Sequence, residues 1–164
     1  MARRLSPLLA VVLTAALVPA AQGGQERTRT MTITVLSLTR VSIPHDLPPK
    51  GKENKGDYIE YRDLLLAVGR LFGKQENQPV GWDKGTLTYT SKTEARIIGQ
   101  AVFPGQGKLK VKGPMKELPN GSNTVKIIGG SGKFVGAKGV LIIGPGDQRA
   151  LNTFRFTLPG GAVA

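Results

Sequence analysis

Met31, Ile33 and Val35 alternate with Thr30, Thr32 and Thr34, a period of two that predicts a half-buried strand within residues 30–41. The same period returns along the chain. Lys108-Leu109-Lys110-Val111-Lys112 alternates without a fault, lysines toward water and Leu109 and Val111 toward a core. Leu87 and Tyr89 share a face of residues 86–90, and Phe154, Phe156 and Leu158 share a face of residues 151–158. Residues 95–103, 125–128 and 140–143 are further strand candidates. Between them lies turn chemistry: a Pro-, Gly- and Lys-rich stretch over 45–56 that reads as an exposed basic loop, and the pair Asn120-Gly121. Residues 57–68 read two ways. Ile59, Tyr61 and Leu65 share a strand face, whereas Leu64, Val68, Leu71 and Phe72 fit a helical stripe; a strand is expected at the start and the end stays open. About eight short strands without a long helical pattern predict an all-β sandwich or barrel. A barrel removes exposed edges, and an eight-stranded one is filled by side chains or holds one small ligand.

The first residues do not fit this pattern. Arg3 and Arg4 precede an apolar run from Leu8 to Val18, and Val18-Pro19-Ala20 offers small residues at the usual cleavage spacing. That is the layout of a secretory signal peptide, and the run falls short of the roughly 20 residues a membrane span needs. The expected organisation is a signal peptide over 1–20, a flexible polar segment over 21–29, a single barrel domain over 30–160 and a short tail over 161–164. The expected location is outside the cell or in a periplasm, with no stable membrane insertion. Cleavage after Ala20 takes Arg3 and Arg4 with it, so the net charge of +12 falls to +10.

Composition then narrows the chemistry. Hydrophobic residues at 40% and charged residues at 21% argue for a folded chain. The absence of Cys excludes disulfides, thiol nucleophiles and Cys-ligated metals, and the single His excludes multi-His metal sites. No cofactor or metal is expected. The basic charge does not point to nucleic acid, because the lysines are spread over loops and one outer strand face with no aromatics interleaved. It suits a solvated face, or attraction to anionic cell-surface material. Gly129-Gly130-Ser131-Gly132-Lys133 invites a phosphate-loop reading and fails it: Phe134 stands where Ser or Thr is required, and a strand follows where a helix is needed. The plainer reading is a corner whose backbone needs positive φ or close approach. His45 reads as a loop residue, and Asp57 and Glu60 as surface charge. Asn120-Gly121-Ser122 is a glycosylation acceptor only in a eukaryotic secretory pathway. Asp63 differs, because it shares its strand face with Ile59, Tyr61 and Leu65. If that face lines a barrel, Asp63 is either hydrogen-bonded structure or part of a ligand site.

Several segments taken in order resemble one family. Gly56-Asp57-Tyr58-Ile59-Glu60-Tyr61 is similar to the Gly-Asp-x-Val-x-Phe segment of allene oxide cyclases and plant dirigent proteins. Val80-Gly81 followed by Gly85, and Leu109-Lys110-Val111-Lys112-Gly113-Pro114, resemble further segments of that family. Ile128 to Gly139 resembles its Gly-Gly-Thr/Ala-Gly-x-Phe-x-x-Ala-x-Gly signature, and Asn152 to Phe156 its last strand. The resemblance spans roughly residues 31–159. It implies an eight-stranded antiparallel β-barrel, often trimeric, with a central hydrophobic cavity. It also implies departures. Ser37 stands where the cyclases carry a catalytic Glu, Thr39 where they carry an Asn, Leu87 where they carry a cavity Cys, and Asp63 where they carry a cavity Asn. Lys133 and Lys138 stand where dirigent proteins often carry an acid and an Arg.

The expected function is therefore a secreted barrel that binds, and can steer, a small hydrophobic or phenolic molecule through Ser37, Thr39, Asp63, Leu87 and Tyr89. One alternative is an isomerase of the cyclase type acting on an oxygenated lipid, with Asp63 as the candidate catalytic group in place of the missing Glu. Another is a non-catalytic structural or surface-interaction protein with a filled barrel.

Overall fold

A computed structural model of the chain describes residues 28–51, 55–116, 121–146 and 148–160. The expected signal peptide, the tail and Asn120 lie outside the described residues. Of the expected polar segment 21–29, only Thr28 and Arg29 are described, and both belong to the first strand.

Eight strands follow one another: β1 (Thr28–His45), β2 (Tyr58–Ala67), β3 (Pro79–Tyr89), β4 (Glu94–Phe103), β5 (Gly107–Lys116), β6 (Asn123–Gly132), β7 (Lys138–Ile143) and β8 (Arg149–Pro159). Each pairs antiparallel with its neighbours in sequence, and β1 also pairs with β8, closing the barrel. Closure leaves no edge strand among the described residues, so each strand has a pairing neighbour on both sides. The alternation seen in sequence is the alternation of burial. Leu109 and Val111 are buried while Lys108, Lys110 and Lys112 are exposed, and Phe154 and Phe156 are buried on either side of exposed Arg155.

Three observations correct or extend the sequence reading. Residues 58–67 are strand throughout, and the helical stripe ending in Leu71 and Phe72 does not form; a tight connection with a Leu71–Lys74 bridge leads into β3 instead. Asp57 is buried rather than surface charge: its Oδ1 accepts the Leu47 N–H at 2.9 Å and ties down the β1–β2 loop. Finally, β1 carries a bulge at Arg40, between the pairs Thr39–Asp63 and Val41–Arg62. One extra residue exchanges the two faces of a strand. Ser37 and Thr39 point inward before it, whereas Val41 and Ile43, inward by simple alternation, are exposed after it.

One end of the barrel is closed by aromatic rings. All five phenylalanines of the chain gather there. Phe103 meets Phe72, Phe134 and Phe154 edge-on at centroid distances of 5.4–5.9 Å, and Phe134 meets Phe156 at 5.7 Å. Phe134 comes from the β6–β7 turn within the Gly-rich segment. Gly136 has φ +77°, which lets that turn fold back, and a Cβ on Gly130 would strike the Phe134 backbone. The segment that invited a phosphate-loop reading is the hinge of a plug.

Candidate functional site

The other end stays open. A cavity of about 240 Å³ runs from the barrel centre to the end that carries the β1–β2, β3–β4 and β7–β8 loops. Its aliphatic wall comes largely from β4, β5 and β7 through Ile97, Ala101, Val111, Met115, Leu141 and Ile143. Its polar strip comes from contiguous strands: Asn152 on β8, Ser37 and Thr39 on β1, Tyr61 and Asp63 on β2, Asp83 on β3 and Gln100 on β4. Arg149 and Ser42, both exposed, stand at the mouth.

The register places Asp63 directly opposite Asp83. Directly paired residues of antiparallel strands have Cβ atoms about 5 Å apart, so two carboxyl groups share one site. Ser37, itself buried, donates its hydroxyl to Asp63 Oδ2 at 2.9 Å. Burial raises the Asp63 carboxyl above its ordinary value, and the hydrogen bonds from Ser37 and Thr39 pull it back. Asp83 is 7% exposed. Burial, reinforced by the Asp63 charge, pushes its carboxyl up to about 8, against backbone donors at Asp63 and Asp83. Asp83 is therefore the member of the pair that keeps a proton at neutral pH. Tyr61 is held neutral well above its usual range by burial first and by Asp83 and Asp63 next. Its hydroxyl lies over the paired glycines Gly85 and Gly99; a Cβ on Gly99 would sit 2.5 Å from it, so those positions leave room for the ring.

Several acceptors here are unmatched. Oδ1 of Asp63, Oδ1 of Asp83 and Oδ1 of Asn152 are buried with no hydrogen-bond partner. Buried polar atoms are normally paired, so such atoms lining a cavity mark a place where a ligand or water completes the bonding.

Of the residues singled out from sequence, Ser37, Thr39, Asp63 and Leu87 line this cavity together. Tyr89 lies beyond the mouth, in a separate recess with Pro44, His45, Asp57 and Tyr58, where His45 stacks on Tyr58 at 4.2 Å. Asp83 and Asn152 went unrecognised as cavity residues. Asp83 stands between Trp82 and Lys84 and looks like surface charge, yet it has the parity of Leu87, and extending the expected strand 86–90 by three residues toward the N-terminus reaches it. Among the described residues, no group of three or more His, Cys, Asp or Glu could hold a metal, and no helix is long and apolar enough to cross a membrane.

No protein-family model matches the chain, and no curated protein matches it in sequence. Solved structures do match in shape. A pyocyanin demethylase superimposes with a TM-score of 0.61 at 20% identity, covering 76% of this chain and 99% of its own. A pterocarpan synthase dirigent protein matches with a TM-score of 0.61 at 15% identity, covering 81% of this chain and 86% of its own. A nonspecific heme-binding cyclase that catalyses a cycloaddition in neoabyssomicin biosynthesis matches with a TM-score of 0.57 at 14% identity, covering 84% of this chain and 66% of its own. The fold is thus the barrel shared by dirigent proteins and related cyclases, as the resemblance in sequence implied. Those three names describe three chemistries, so the barrel does not choose among them and the site must.

Proposed function

We propose that this protein is a secreted barrel that binds a small hydrophobic or phenolic molecule in its central cavity and holds it in one orientation. The observation that carries this reading is the two-sided cavity of about 240 Å³: an aliphatic wall faces a strip holding Ser37, Asp63, Asp83 and Asn152. An apolar pocket with a few convergent polar groups is the usual form of a small-molecule site. The apolar wall favours the skeleton of such a ligand, and the strip fixes which way its polar group points. A filled, purely structural barrel accords less well with an open interior. Native mass spectrometry of protein purified from its own secretion route tests the reading. The expected spectrum carries a bound small molecule of a few hundred daltons; a chain that is always empty and takes up no apolar probe counts against it. The same spectrum counts subunits and tests the homotrimer that the family resemblance implies; the exposed Val41, Ile43, Ile98 and Ile128 are apolar outer-wall residues that self-association would cover.

A second reading has its own support. Asp63 faces the cavity beside a carboxyl that keeps its proton at neutral pH, which supplies a base and an acid at one site. That arrangement suits an isomerase or cyclase acting on an oxygenated lipid, with Asp63 as its acid–base group. Asp63→Asn is then expected to lower turnover of an epoxide substrate at least about 100-fold. Undiminished turnover removes Asp63 from catalysis.

A further inference from the structure

We infer that the cavity selects ligands carrying a protonated nitrogen, an ammonium or amidinium group on an apolar skeleton, bound between Asp63 and Asp83. The inference rests on the cavity reading above and names the chemical class of its ligand. The first ground is a surplus of acceptors. Three buried oxygens, Oδ1 of Asp63, Asp83 and Asn152, face this space without a donor. Ser37 spends its hydroxyl on the other oxygen of Asp63. The second ground is charge. Among the described residues, the charged or titratable side chains lining the cavity are Tyr61, Asp63, Asp83 and Arg149, and the one cation of these four is exposed at the mouth. Ionising both carboxyl groups without a counter-charge is costly, which is why Asp83 keeps its proton in the empty cavity; a positive group between them offsets that cost and lets Asp83 ionise as the ligand binds.

The two grounds meet in one ligand chemistry. A phenol supplies one proton to this strip, whereas an ammonium or amidinium supplies several, enough to reach both carboxyl groups. Hydrogen bonds from a charged donor to a carboxylate are about twice as strong as neutral ones. An anionic ligand, such as a fatty acid with its head group inward, meets two carboxyl groups instead. The aliphatic wall of Ile97, Ala101 and Leu141 then takes the skeleton. The chain's own surplus of positive charge lies outside, on faces such as Lys108, Lys110 and Lys112, so the inner site has the opposite sign to the surface.

The test is calorimetric titration of the purified full chain at pH 7 with three probes on one two-ring skeleton: 2-naphthylmethylamine, 2-naphthol and 2-naphthoate. The amine is expected to bind about tenfold or more tightly than the naphthol, and the naphthoate most weakly. Asp63→Asn and Asp83→Asn, which keep the shape of the site, are each expected to bring the amine-to-naphthol affinity ratio close to one. Leu141→Trp, which fills the cavity, is expected to abolish binding of all probes and so locates them. If naphthol or naphthoate binds the wild type as tightly as the amine, and Leu141→Trp removes that binding, the cation preference is overturned and the cavity reading stands. An amine preference that survives in both Asn variants overturns it equally. If no probe binds the wild type, the cavity reading falls with it.

Discussion

At one end of the barrel, Phe72, Phe103, Phe134, Phe154 and Phe156 meet edge-to-face and pack into the hydrophobic core. At the other, Asp63, Asp83 and Asn152 line open space with acceptors left over. The same eight strands build both ends, so the difference lies in what the inward positions carry. Rings gain from burial and add about 0.5–1.5 kcal/mol for each edge-to-face contact. Buried carboxyl groups cost stability instead, because burial disfavours their charged form. One end holds the barrel together, and that stability lets the other keep groups that folding alone does not favour.

The largest effect is expected at the plug. Phe134 is 1% exposed, and Phe134→Ala should destabilise the fold by about 3–5 kcal/mol, read as a lower urea midpoint. A loss below about 1 kcal/mol would mean that the rings do not carry the closed end.

Asp83→Asn should act in the opposite direction. The Asp83 carboxyl ionises near 3.8 in the unfolded chain and near 8 in the folded one, so between those values the folded state binds the extra proton. Its contribution is fully present below the unfolded value and is lost as pH rises toward 8. Each pH unit of that window is worth about 1.4 kcal/mol at most, so the variant should gain a few kcal/mol over wild type at pH 8 and little at pH 4. Equal urea midpoints for the two proteins at both pH values would place no cost on the acid pair and erase the contrast between the ends.

Ser37→Ala is the finer probe. Loss of the 2.9 Å bond to Asp63 should raise the pH at which that carboxyl titrates by NMR, because the hydroxyl favours the charged form. Asp63 is only half-buried, so the loss in stability should be modest, about 1 kcal/mol. An unmoved titration would show that the Ser37 hydroxyl does not hold this oxygen.

Much of the barrel is legible in the chain. The runs around Ile33, Leu109 and Phe154 alternate with the period a half-buried strand requires, and antiparallel pairing joins such strands by short turns. The Gly-rich stretch announces a backbone that must bend, though not that it carries Phe134 into the core. Asp63 is legible as an inward polar residue because it keeps the parity of Ile59 and Tyr61.

What alternation cannot reveal is where it is interrupted and what stands opposite. The bulge at Arg40 turns Val41 and Ile43 out of the barrel, and nothing in their side chains distinguishes them from Ile33 and Val35. Tyr89 has the parity of Leu87, but its place at the strand end takes it past the cavity mouth. The acid pair exists only because the β2–β3 register sets Asp63 against Asp83, 20 positions away in the chain. Local sequence determined which residues alternate and therefore which segments are strands, since that preference acts between near neighbours. Register, closure and the filling of each end depend on contacts between distant strands, and only the tertiary structure decided that one end would be packed and the other left open around two carboxyl groups.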